Sequence, residues 1–115
     1  MEINQEKVLK EIEKEMSAAR EARTKGVEGR ARVCARRAAG IAGAWYLSSL
    51  GKNVREGNAL DALHGLEAET SITSEVRDAA GRLASRISSD FRYAHQTDPL
   101  ADAAIIIDFM KKTLA

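Results

Sequence analysis

"GRARVCARRAAGIAGAWYLSSLG", Gly29 to Gly51, decides how this chain folds. It holds four arginines, a run of small residues and the one tryptophan of the protein. On a helical wheel of about 100° per residue, Ala31, Cys34, Ala35, Ala38, Ala42, Trp45 and Ser49 share one face. That stripe suits a core. Val33, Gly40, Gly43, Ala44 and Leu47 lie on the other side. A glycine inside a helix costs about 1 kcal/mol relative to alanine. Keeping two of them makes sense where a neighbour needs a flat surface. Gly40, Gly43, Ala44 and Leu47 therefore read as a helix-packing or dimer face, met by another helix of this chain or by a second copy.

Working outward, the flanking sequence supplies four more helices. The first is expected from about Asn4 to Lys25, with Val8, Ile12, Met16 and Ala19 at helical spacing and Gly26 as its stop. The second spans about Glu28 to Leu50 and stops at Gly51. The third runs from about Asn58 to Ala68, where Asn58 followed by Asp61 resembles a capping box. Ala59, Leu60, Leu63 and Leu66 make its apolar stripe, with His64 packed beside the leucines. The fourth covers about Thr73 to Ser88, with Val76, Ala79, Ala80, Leu83 and Ile87 inward. The fifth opens at Asp98 with Pro99 in its first turn and runs to about Leu114. Its apolar residues, Leu100 and Ile105 to Ile107 with Phe109 and Met110, are too broadly spread for a surface helix, so it is expected to be covered on two sides.

Composition agrees with one all-α domain over residues 1–115. The chain is 44% hydrophobic and 30% charged, with only 4% aromatic residues and one proline. Alanine and leucine at interior positions favour helix over sheet. Net charge is +1, so any basic surface must be local. Cys34 is the one cysteine, which excludes an internal disulfide and a multi-cysteine zinc site. This suits a reducing, cytoplasmic setting. The opening "MEINQEKVLKEIEKEM" has no apolar run and reads as neither signal peptide nor membrane anchor. No metal site and no cofactor is expected.

The arginines flank the second helix. Arg32 and Arg36 share one seam, and Arg30 and Arg37 the other. Two roles compete: long stems can cover apolar surface while the heads reach water, or the guanidinium groups can line a groove that takes phosphate bidentately. Arg20 and Arg23 can add to that groove or interact with the end of the first helix. Neither GxGxxG nor GxxxxGK[ST] occurs, so a phosphate loop of either kind is excluded. The connection "SDFRYAHQT" groups Arg92, Tyr93 and His95, a polar and aromatic loop of the kind that carries function. His95 is the candidate catalytic residue, because an imidazole can move a proton near neutral pH. Cys34, on the core stripe, reads as a buried thiol. Trp45 and Tyr46 read as core or interface anchors.

The order of these segments resembles the HEPN family of compact all-α proteins. "ARRAAGIAGAWYLSSLG" is similar to the alanine-rich second helix of that family, and "RLASRISSDFRY" to the segment ending in an arginine–tyrosine pair. The resemblance covers nearly the whole chain. It implies an up-and-down bundle of about five helices, a homodimer, and work on nucleotides or RNA beside a nucleotidyltransferase partner protein. Active members carry an arginine, four to six residues, then a histidine for acid–base chemistry. Here Ser88, Ser89 and Asp90 stand at those distances before His95, and Gly57, Asn58 and Ala59 before His64. The motif is absent. The expected function is thus a dimeric module that binds nucleotide or RNA phosphates through Arg30, Arg32, Arg36, Arg37, Arg92 and Tyr93. The alternatives are an RNase-type enzyme with a rearranged site at His95, and a purely structural protein-interaction bundle.

Overall fold

A computed structural model describes residues 5–54, 58–85 and 97–114. Five helices form it: α1 (Gln5–Thr24), α2 (Glu28–Ser49), α3 (Ala59–Ala68), α4 (Ser74–Ala84) and α5 (Pro99–Leu114). No strand occurs among the described residues.

The helix ends follow local chemistry. Gly26 and Gly51 sit at φ 78° and 76°, in the left-handed region that glycine enters without steric cost. Each closes its helix with a paired set of hydrogen bonds. Val27 N–H reaches the Ala22 carbonyl and Gly26 N–H the Arg23 carbonyl; Lys52 N–H reaches Leu47 and Gly51 N–H reaches Ser48. These are Schellman motifs. Asn58 caps α3 by accepting from Asp61 N–H at 3.0 Å, and Thr73 caps α4 by accepting from Val76 N–H at 3.3 Å. Asp98 accepts from Leu100 N–H at the start of α5.

The expected fourth helix ran too far. Ser85 is extended, at φ −67° and ψ 155°, so α4 stops at Ala84. The Ser85 hydroxyl bonds back to the Arg82 carbonyl at 2.7 Å, the local competition that makes serine a helix terminator. Residues 86–88, with Ile87, lie outside the described residues.

α2 is the hub. α1, α3 and α5 pack directly on it, and α4 packs mainly on α3 and α5. Its core stripe is buried as read: Ala31, Cys34, Ala35, Ala38 and Ala42 are at most 1% exposed, and Trp45 and Tyr46 close the upper end. Ser49, at the end of that stripe, is exposed. α5 is covered by α2 on one side and α4 on the other. Tyr46 meets Phe109 edge to face, centroids 5.8 Å apart.

The strictly up-and-down order is corrected by the seam between α2 and α3. A Cβ built on Gly40 would meet Ala59, one on Gly43 would meet Leu66 and Ala62, and one on Gly65 would meet Leu47. Climbing α2 from Gly40 to Leu47 thus climbs α3 from Ala59 to Gly65, and the two helices run in the same sense. α4 descends, from Ser71 beside Tyr46 to Ser85 beside Arg36. α5 rises again, from Asp98 beside Arg23 to Phe109 beside Tyr46. α3 therefore begins about 14 Å below the end of α2, at about 1.5 Å per helical residue from Gly40 to Ser49. The nine residues 50–58 are long enough to span that.

Candidate functional site

Where α1 and α4 finish and α2 and α5 begin, arginines gather. Their positions follow from the helix ends just described. Arg23 lies in the last turn of α1, and the glycine turn at Gly26 folds it over the first turn of α2. Arg23 Nε and Nη2 donate to the two oxygens of Glu28, at 2.8 and 3.0 Å, and Nη1 donates to Asp98 Oδ2 at 2.7 Å. One guanidinium so ties α1, α2 and α5 together. The hydrogen bonds from Arg23 hold both Glu28 and Asp98 below the usual carboxylate range, while Glu28 and Asp98 in turn raise Arg23.

Deeper in the same end, Arg82 from α4 meets Asp102 from α5. Nε lies 3.2 and 3.1 Å from the two carboxylate oxygens, and Nη2 lies 2.9 Å from Oδ1. Thr97 Oγ1 donates to Asp102 Oδ2 at 3.0 Å. Asp102 is fully buried, so its charge needs these partners.

The candidate arginines of α2 are distributed around this end rather than gathered in one groove. Arg36 donates to the carbonyls of Leu83 and Ser85, at 2.8 and 3.2 Å, and so satisfies the last carbonyls of α4. Arg32 is 5% exposed, with Nη2 4.0 Å from where a Cβ on Gly29 would stand. Arg30 is exposed in the first turn of α2, and its charge is felt by Glu21 across the α1–α2 corner. Arg37 is exposed two turns further along. By helix geometry the pair Arg30 and Arg37 points away from the pair Arg32 and Arg36. Arg20 pairs with Glu13 at 2.6 Å on the outer side of α1. Arg92, Tyr93 and His95 lie outside the described residues.

The N-terminus of α2 is open. Val27, at the cap position, gives no side-chain hydrogen bond, and Glu28, Gly29 and Arg30 are exposed. The amides of a first helical turn lack intrahelical partners and carry a partial positive charge. A Cβ on Gly29 would find only Arg32 Nη2, at 4.0 Å, among the described residues.

The remaining candidates fall elsewhere. Gly40, Gly43 and Leu47 are buried in the seam with α3, and Ala44 is half-buried. Val33, placed with them on the wheel, is 38% exposed, because α3 reaches down α2 only as far as Gly40. His64 is not packed beside the leucines. It is exposed, its Nδ1 3.4 Å from Glu67 Oε1, since the buried stripe of α3 runs through Ala62, Leu63 and Leu66. Cys34 is buried. No group of three or more histidine, cysteine or carboxylate side chains suited to a metal occurs among the described residues. No helix among them is long and apolar enough to cross a membrane.

Two charged networks were missed in the sequence. Asp102 lies on the inward stripe Pro99, Asp102, Ala103, Ile106, Ile107 and Met110. A carboxylate on that stripe demands a buried cation, and this was the available signal for Arg82. The other network lies at the far end of α2. Lys52 Nζ contacts Glu69 Oε1 at 2.5 Å, and the Ser71 hydroxyl and N–H both donate to Glu69 Oε2, at 2.6 and 3.1 Å. Ser71 spends its proton on Glu69, so the Tyr46 hydroxyl donates to Ser71 Oγ at 2.8 Å. The Lys52 ammonium first, then Ser71, hold the Glu69 carboxyl down at about 2. No sequence motif announces a contact between Tyr46 and a turn 25 residues away.

Comparison with protein-family models, curated proteins and solved structures finds no match.

Proposed function

We propose that this chain is a HEPN-like binding module that engages nucleotide or RNA phosphates at the N-terminus of α2 without nuclease chemistry of its own. The observation that carries the reading is the open first turn of α2, with Arg30 exposed on it. Uncapped amides, the helix dipole and guanidinium groups suit the same ligand, a phosphate. Glu28, in that turn, has its charge offset by two hydrogen bonds from Arg23. Pairing as a homodimer, a nucleotidyltransferase partner and a cytoplasmic location belong to the same reading and rest on the HEPN-like order of segments.

The test is binding of a short oligoribonucleotide, and separately of ATP, followed by fluorescence anisotropy over a salt series. Affinity should fall with salt. Arg30→Ala should weaken binding about fivefold, as expected for loss of one exposed charge-assisted contact worth about 1 kcal/mol. It should also flatten the salt slope by somewhat less than one unit for the oligonucleotide. Binding that ignores both salt and Arg30→Ala overturns the reading.

A second reading, a purely structural interaction bundle, is favoured by a different observation. Arg23, Arg36 and Arg82 all spend their guanidinium groups inside the protein. On that reading no salt-dependent ligand is found.

A further inference from the structure

We draw no further inference here: the strongest candidate, the outward stripe of α2 on which Val33 and Arg37 are exposed and Ile41 is half-buried, is a face unpartnered among the described residues and nothing in the structure shows what covers it.

Discussion

The two sides of α2 are held by opposite physics. Toward α3 the contact is made by shape: Gly40, Gly43 and Gly65 let helix backbones and leucines approach where no further atom fits. At its lower end the bundle around α2 is held by charge: Arg23 ties α1 to α2 and to the start of α5, Arg36 ties α2 to α4, and Arg82 ties α4 to α5. A shape contact is insensitive to pH and salt but intolerant of a methyl group. A charge contact tolerates small changes in volume but requires both partners, because a buried charge left alone costs more than the pair contributes.

That contrast predicts a ranking of effects. Gly40→Leu should be the most damaging change. Even its first carbon would stand 2.6 Å from Ala59 Cβ and 2.7 Å from Ala59 Cα. The backbone of α3 must move, so a loss of at least about 3 kcal/mol, at the upper end of overpacking costs, is expected in urea unfolding. A Gly40→Leu protein as stable as the wild type would refute close α2–α3 packing. Asp102→Ala should follow, at about 3 kcal/mol, since it removes the buried carboxylate that holds the Arg82 guanidinium with three contacts. Asp102→Asn, which keeps the shape, should recover only part of that. Equal stability of all three proteins would mean that Arg82 does not need its partner.

Gly65→Ala tests the seam more gently. Its Cβ would come within 2.8 Å of one atom only, the flexible Leu47 Cδ1 at 2.7 Å. Strain of about 1 kcal/mol should then nearly cancel the helix-propensity gain of similar size. A net loss beyond about 1 kcal/mol would show that Leu47, buried in the seam, has no room to turn away from the added methyl group.

The smallest effects should come from the exposed ends of the charge networks. Arg23→Ala should cost about 1 kcal/mol, shrinking as salt is raised, because its side chain and both acids are partly solvated. Glu69 adds a pH dependence with a definite sign. Hydrogen bonds from Lys52 and then Ser71 hold its folded-state pKa at about 2, below the ordinary value of 4.5. The stability it contributes is therefore full above about pH 4.5 and is lost as pH falls toward 2. Thermal unfolding of Glu69→Gln should show a shallower acid limb than wild type over that interval. Identical limbs would remove Glu69 from the account of acid sensitivity.

The close packing around α2 could be read in advance, whereas the polar networks could not. The glycines of α2 announced a close neighbour, because nothing else justifies two of them inside a helix. Which neighbour, and in which direction it ran, was not announced: Gly40 and Gly43 fit a parallel or an antiparallel partner equally well. The arginines of α2 announced charge at the bundle surface. That Arg36 would be absorbed by the carbonyls of α4 depended on where α4 stopped, and Ser85 stopped it sooner than the apolar periodicity implied.

By itself the chain determined what is local. Five helices, the glycine stops at Gly26 and Gly51, the caps at Asn58, Thr73 and Asp98, and the buried stripe of α2 all arise from residues within a few positions of one another. Tertiary structure alone decided the parallel run of α3 beside α2 and the pairing of Arg82 with Asp102. It likewise decided the link from Tyr46 through Ser71 to Glu69. The reason is physical. Helical hydrogen bonds and caps join near neighbours in sequence, whereas a buried charge or a missing side chain states only that a partner is required and leaves packing to select it.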